Sequence, residues 1–243
     1  MGYVGSSGMV SRIGLILPSS NTTMEPELYK MLPEDCTLHT ARMRLQKVTI
    51  KALSAMEKKA VEAAQELSDA KVSVVNYGCT SGSLFGGVGH DRRIEAKLEK
   101  IVNAPCVATS RAVVDSLRAL RVRKVAVATP YSKEIDELER KFLEGNNFEV
   151  VDMRGLGLVD NIQIGKQKPD IAYTLARQLR CAEADAIFIS CTNFRTIEVV
   201  ERLERETGRP VVSSNTATLW GIIRKANLEK TIEGFGRLFT TTA

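Results

Sequence analysis

The sequence predicts two pseudo-symmetric, Rossmann-like α/β lobes, each with a parallel sheet flanked by helices, and an active site in the cleft between them. Three observations carry this expectation. The chain repeats itself: Ile13-Gly14-Leu15-Ile16-Leu17-Pro18-Ser19-Ser20 resembles Val125-Ala126-Val127-Ala128-Thr129-Pro130-Tyr131-Ser132, with the two prolines 112 residues apart. Two short apolar runs each end in Cys-Thr, at Cys79-Thr80 and Cys191-Thr192, and these cysteines are also 112 residues apart. The strand candidates are mostly unbroken apolar runs rather than alternating ones, as parallel strands covered on both faces require. Helical patterns fall between them, which implies right-handed crossovers.

The elements follow in order. Residues 1–8 lack a basic region and a long apolar stretch, so a frayed end is expected rather than a signal peptide. Residues 13–18 form the first strand. Leu53, Met56, Ala60, Ala63 and Leu67 then recur at three- and four-residue spacing, one apolar face of a helix. The run from Val72 to Asn76 leads to Cys79 as the next strand. Pro105-Cys106-Val107-Ala108-Thr109-Ser110 supplies a third, echoed by Pro210-Val211-Val212-Ser213-Ser214-Asn215 at an offset of 105, so the second copy is shorter by a net seven residues. In that copy Ser132 precedes Glu134 and Asp136, acids suited to the first turn of a helix. Ile171, Leu175 and Leu179 repeat a helical face behind Pro169-Asp170, a start signal. Each copy thus reads strand, helix, strand-Cys-Thr, helix, strand, helix. Residues 11–110 together with 214–243 are expected to build the first lobe and 111–213 the second, with 216–224 packing back on the first.

Composition bounds the chemistry. With 243 residues, 44% hydrophobic and 26% charged, the chain reads as a soluble globular protein with ample material for a core. No apolar run approaches a membrane span, so no membrane partner is expected. The net charge of +5 comes from 34 basic against 29 acidic residues, a mixed surface without a basic block interleaved with aromatics. That balance suits a small anionic substrate better than nucleic acid. The five cysteines, Cys36, Cys79, Cys106, Cys181 and Cys191, show no zinc-site spacing, and only His39 and His90 offer imidazoles. No metal is expected. An odd cysteine count without an export signal points to reduced thiols in the cytoplasm.

The paired cysteines are the main functional signal. A strand ending in a thiol and a hydroxyl puts that thiol where a strand gives way to a helix, at the sheet edge where ligands bind in open α/β folds. A helix N-terminus there would lower the thiol's pKa. A single such cysteine would read as a buried inert thiol; equivalent placement in two repeats points to a facing pair. Cys36, Cys106 and Cys181 have no matched partner and are taken as structural. Pro18-Ser19-Ser20-Asn21-Thr22-Thr23-Met24-Glu25 offers hydroxyls, an amide and backbone N–H groups entering a helix, a set suited to a carboxylate, or an ordinary N-cap loop. Tyr131, the counterpart of Ser19, either donates to a substrate carboxylate or caps a loop. Asn161, in a Gly-containing connection, fits turn chemistry equally well. Residues 82–89, rich in glycine, read as a mobile flap and lack the dinucleotide-binding spacing.

These residues resemble a known group. The duplicated lobes with a Cys-Thr in each are similar to the aspartate/glutamate racemase superfamily, and the Ser19–Glu25 stretch resembles the N-terminal motif of its maleate cis-trans isomerases, over essentially 13–243. The resemblance implies a substrate-binding Asn21, a nucleophilic Cys79, a carboxylate-binding Tyr131, a second-lobe Asn161 and a second cysteine, Cys191. With their neighbours the implied substrate-binding set is Ser20, Asn21, Thr80, Ser81, Tyr131, Asn161 and Thr192. The related arylmalonate decarboxylases keep only the second-lobe cysteine, so Cys79 argues against that activity. The Cys79-Thr80-Ser81-Gly82 segment is shared with racemase-like relatives.

Three functional readings follow. The first is cofactor-independent isomerisation of maleate, or a close dicarboxylate, to the trans isomer. Cys79 would add to the alkene, Cys191 would donate a proton, and donors at Asn21, Tyr131, Asn161 and the Thr80 and Thr192 N–H groups would meet the developing charge. The second is a two-thiol racemase or epimerase of aspartate, glutamate or a hydantoin. The third is a carboxylate-binding protein without catalysis. A homo-oligomer is expected in each case.

Overall fold

The structure, a computed structural model, describes residues 11–228 and 232–240. The expected frayed end at residues 1–8 lies outside the described residues. So do residues 229–231 and 241–243 of the expected first lobe.

The first half runs β1 (Ser11–Pro18), α1 (Met24–Met31), β2 (Cys36–Met43), α2 (Ile50–Glu57), α3 (Ala60–Asp69), β3 (Val74–Tyr77), α4 (Thr80–Leu84), α5 (His90–Val102), β4 (Cys106–Ala108) and α6 (Thr109–Ala119). The second runs β5 (Lys124–Thr129), α7 (Lys133–Glu144), β6 (Glu149–Gly155), α8 (Asn161–Gly165), α9 (Pro169–Arg177), β7 (Ala186–Ile189), α10 (Val200–Thr207), β8 (Val211–Ser213) and α11 (Ser214–Lys225). Two four-stranded sheets result, ordered β2-β1-β3-β4 and β6-β5-β7-β8, and every pairing is parallel. The second order is the first repeated, so the 112-residue sequence offset is a duplication of topology.

The central strands carry the fold because both their faces are covered. On β1, Ile13, Leu15 and Leu17 enter one apolar cluster and Ile16 the other. On β5, Val125 and Val127 divide from Ala126 and Ala128 in the same way. This period of two in an all-apolar run is what a doubly covered strand shows.

Several expectations needed correction. Each copy has four strands, not three; β2 and β6 are edge strands, CTLHTARM and EVVDMRG, whose partly exposed polar sequences hide them from an apolar-run criterion. The single helix expected from Leu53 to Leu67 is two. At Lys58-Lys59 the ladder lapses into a tighter turn, with Lys59 N on Met56 O, although all five apolar residues remain buried. In α9, Pro169 does open the helix, but Ile171 faces outward and Ala172, Leu175 and Ala176 make the buried face. Residues 80–84 form the buried helix α4, so three of the eight residues of the expected glycine-rich flap, 82–84, are packed interior.

The C-terminal helix α11 packs against α6, β3, β4 and α1 of the first half. It is buried from Ser214 to Ile223, which leaves it no exposed face along most of its length. Across the cleft, the loop after β2 pairs with the loop before α8: Val48 N donates to Val159 O at 2.8 Å, and Asn161 N donates to Gln46 O at 2.9 Å. An antiparallel bridge between Lys47 and Asp160 completes this seam. Among the described residues no helix is long and apolar enough to cross a membrane.

Candidate active site

Cys79 and Cys191 stand two residues beyond β3 and β7, the equivalent strands of the two sheets, and each is only 4% exposed. They share one site: each lies close enough to Tyr131 to raise its pKa, and the charge of Cys79 raises that of Cys191.

Their settings differ. Cys79 is the N-cap of α4; its Sγ accepts from Gly82 N at 3.3 Å and lies 3.8 Å from Ser81 Oγ. Gly82 is required there, because a Cβ would stand 2.9 Å from that Sγ and 2.8 Å from Met56 Cε. Cys191 opens no helix. It is followed by turns, and its φ of +90° is a backbone that non-glycine residues rarely adopt. Its N–H donates to Ser214 Oγ at 3.0 Å, and its Sγ accepts from Asn193 N at 3.3 Å and from the Tyr131 hydroxyl. The helix start expected after both cysteines therefore exists only after Cys79.

The expected lowering of the thiol pKa is also corrected. Burial pushes Cys79 up to about 11, against the lowering effect of Gly82 N–H and Ser81. Burial pushes Cys191 up to about 12, against Tyr131 and Asn193. Desolvation of a thiolate outweighs two hydrogen bonds and one short helix. Buried Glu139 adds to this at Cys191. Burial raises its own pKa to about 8, and its Oε1 accepts from Ser190 Oγ at 2.6 Å, one residue before the thiol.

The structure brings the other expected residues together around these thiols. Asn21 braces the turn that leads into α1 through its Oδ1, which accepts from the N–H of the N-cap residue Thr23 at 3.0 Å and of Met24 at 2.9 Å. Its Nδ2 crosses to the other lobe and donates to Thr192 Oγ1 at 3.0 Å, and that hydroxyl donates to Gly78 O at 3.2 Å. Asn161 Nδ2 donates to Ser20 Oγ at 2.8 Å, while Ser20 Oγ donates to Leu45 O, so both sit beneath the seam. Thr80 Oγ1 donates to Ser214 Oγ at 2.8 Å, the oxygen that receives Cys191 N. Ser81 stays beside Cys79.

Several residues of the site were not singled out from sequence. Asn193 joins three segments: its Oδ1 accepts from Thr22 N at 2.8 Å, its Nδ2 donates to Asn161 O at 2.6 Å, and its N–H holds Cys191. Its position directly after Cys-Thr was the available signal. Ser214 links the two Cys-Thr turns, and the Tyr77 hydroxyl, buried beside Cys79, has no hydrogen-bond partner. Cys36, at the start of β2, lies apart from the pair, as do Cys106 and Cys181, and none of the three is in a disulfide among the described residues. Among the described residues no group of three or more His, Cys, Asp or Glu is placed to hold a metal ion.

The arrangement sets two buried thiols, a phenol, two side-chain amides and several hydroxyls around one site, and among the described residues the hydrogen-bond partners of the two sulfurs are neutral groups. Such a set suits transient covalent or proton-transfer chemistry on a small anion.

The arylmalonate decarboxylase family model matches residues 13–239. The maleate isomerase of Pseudomonas putida KT2440 is 33% identical over 242 residues, covering 94% of this chain and 97% of that protein. A cysteine-to-alanine variant of the Pseudomonas putida S16 maleate isomerase, solved with maleate, superposes with a TM-score of 0.92 at 31% identity, covering 96% of this chain and 98% of that one. A cysteine-to-serine variant of the Nocardia farcinica maleate cis-trans isomerase, solved with a covalently bound succinylcysteine intermediate, gives a TM-score of 0.91 at 32% identity, covering 96% and 99%.

Proposed function

The chain belongs to the arylmalonate decarboxylase family, which takes in the maleate isomerases it resembles throughout, and from this we propose that it is an isomerase converting maleate to fumarate by cysteine-mediated cis-trans isomerisation. The observation that carries this reading is the pair of buried thiols on equivalent strand ends, both kept where the fold is duplicated. The succinylcysteine intermediate of the Nocardia farcinica relative supports a covalent route.

The chemistry balances within the pair. The Cys79 thiolate adds to one alkene carbon of maleate, and the π electrons move toward the carboxylate on the other carbon. The Cys191 thiol protonates that carbon, leaving a succinyl thioether on Cys79 and a thiolate at Cys191. Rotation about the new single bond turns the carboxylates apart. Cys191 then removes a proton, the C–S electrons return to Cys79, and the trans alkene leaves. One negative charge circulates, and no cofactor is called for. Cys79 suits the nucleophile because it alone caps a helix, and Tyr131 suits the support of Cys191.

Substrate carboxylates would exchange the neutral bonds of Asn21, Asn161, Ser20 and Thr192 for charge-assisted ones, which are roughly twice as strong. Beside the seam, a surface cleft of about 390 Å³ is lined by Arg44, Lys47 and Lys51 and by no acid. This supports a dianionic substrate. A homo-oligomer and a cytoplasmic setting complete the reading.

The test is incubation with maleate, and separately with aspartate and glutamate, in deuterated water followed by NMR. Fumarate formation is expected. Deuterium entering an α-position of an amino acid without alkene turnover would replace this reading with two-thiol racemisation.

A further inference from the structure

Glu27 lies on the buried face of α1 at 3% exposure, behind the thiols rather than beside them. It bounds a cleft of about 310 Å³ that Lys30, Arg195 and Glu198 also line. Its Oε1 accepts from Thr196 N at 2.8 Å and Ile197 N at 3.4 Å. Its Oε2 accepts from Asn215 Nδ2 at 2.6 Å, and the same Nδ2 donates to the carbonyl of Thr192 at 3.1 Å. One first-lobe carboxylate therefore ties down both the chain that follows Cys191 and the first turn of α11.

Every hydrogen-bond partner of the Glu27 carboxylate among the described residues is a donor, and Asn215 Oδ1 is buried with no partner. The Asn215 amide serves Glu27 and Thr192 together only while Glu27 is ionised. A proton on Oε2 would face the Nδ2 hydrogens. Turning the amide over lets Oδ1 accept that proton, but Thr192 O then loses its donor. The loop so released carries Cys191, whose positive φ is a strained backbone conformation that persists only while its surroundings hold it.

We propose that Glu27 is a positioning residue for Cys191: ionised, it fixes the Cys191-Thr192 turn through Asn215, and protonated, it lets that turn go. The role rests on the isomerase reading for its catalytic meaning. Burial moves the Glu27 pKa up to about 7, against Asn215 and the Thr196 N–H, with Glu198 adding repulsion. The charged groups around it are Glu198, Lys30 at 3.6 Å from Glu198, and Arg195 at 3.0 Å from it. On α1, Glu25 is engaged by Arg42 of β2. The first turn of α11 presents no charge, and α8 borders the cleft only with Gly165. Ionisation of Glu27 therefore increases as pH rises through neutrality, and the fixed turn with it.

The test compares wild type, Glu27→Gln and Asn215→Ser between pH 5.5 and 8.5. Wild-type kcat for maleate is expected to rise about tenfold through a midpoint near 7, with KM changing less than twofold. In Glu27→Gln the new amide faces Asn215 as the protonated acid does, so kcat stays flat at the low-pH level. Asn215→Ser keeps the Glu27 carboxylate on its Thr196 and Ile197 N–H donors but removes the amide that joins it to Thr192 O, so it is expected to show the same flat profile, which covers a Glu27 variant that fails to fold. A second readout needs no turnover. The amide resonance of Asn193, whose N–H holds Cys191 Sγ, should shift through the same midpoint in wild type and not in the variants. A wild-type pH rise retained in both variants, or an Asn193 resonance titrating alike in all three, overturns the proposal. If maleate is not turned over at all, the isomerase reading fails and the Asn193 titration alone decides the role of Glu27.

Discussion

The proposed function gives Asn21 two jobs, holding the fold and holding the substrate, and two substitutions pull these apart. Asn21→Ala removes the acceptor of the Thr23 and Met24 N–H groups at the start of α1 and the donor to Thr192, all at a site 1% exposed. Losing the side-chain acceptor for two N–H groups at a helix start costs about 1–2 kcal/mol, as loss of a cap does, and the lost cross-lobe bond about 1 more. For a chain of this size that total lowers Tm by roughly 5–10 °C. Asn21→Asp keeps both cap bonds and adds a negative charge at a helix N-terminus, where it is favourable by about 0.3–1 kcal/mol. Its Tm should stay within about 3 °C of wild type. Yet that carboxylate would face the substrate's own, a repulsion of up to about 4 kcal/mol at partly screened contact distance. The assay pairs thermal denaturation with maleate kinetics. Asn21→Asp should fold normally and lose at least about a hundredfold in kcat/KM, each 1.4 kcal/mol being tenfold. An Asn21→Asp enzyme with wild-type kcat/KM would remove Asn21 from the substrate carboxylate and refute the argument.

Other outcomes follow from the same contacts. Cys79→Ser should abolish turnover, and mass spectrometry of a Cys191→Ser enzyme incubated with maleate should show the mass of one maleate on the Cys79 peptide; full activity in Cys79→Ser would exclude covalent addition there. Gly82→Ala forces a methyl within 2.9 Å of Cys79 Sγ and 2.8 Å of Met56 Cε, so it should destabilise by about 1–3 kcal/mol and reduce kcat, as read by denaturation and steady-state rates. Glu139 has a folded-state pKa raised from 4.5 to about 8, so the folded state holds a proton that the unfolded chain releases, and wild-type stability falls as pH climbs through that window. Glu139→Gln removes this dependence, and its Tm advantage over wild type should widen between pH 5 and pH 8, toward a difference on the order of 3 kcal/mol. Equal widening in a surface variant such as Glu137→Gln would assign the effect elsewhere.

The architecture was legible where the chain repeats itself. Equal offsets of the Pro and Cys-Thr signals located both central strands, and with them the positions where two thiols meet. Edge strands escaped because a strand with one open side has no need of an apolar run; His39 and Thr40 on β2 and Asp152 and Arg154 on β6 show the cost of using that criterion alone. The site was legible in its local parts, the residues adjoining a strand end. It was opaque where partners are far apart in sequence: Glu27 meets Thr196 across 169 residues, and Asn21 meets Thr192 across 171. Nothing in the spacing around Glu27 marks it, since an acid in the first turn of a helix is ordinary chemistry. The thiol pKa values went the other way from expectation for a related reason. A helix start is visible in a sequence, whereas the depth of burial that overrides it is a property of the assembled lobes.

The position of α11 bears on how the chain is made. Its residues Ser214 to Ile223 are buried against α6, β3, β4 and α1, so the surfaces of the first half stay uncovered until Ser214 to Ile223 are available. During synthesis the second half, whose strands β5 to β8 lie wholly within it, meets its sheet partners in order of emergence, while the first half waits with exposed apolar helix faces. The half made earlier is thus the half that finishes folding, and truncation near Ser214 would leave the earlier-made sheet, with Cys79 at its edge, unsealed.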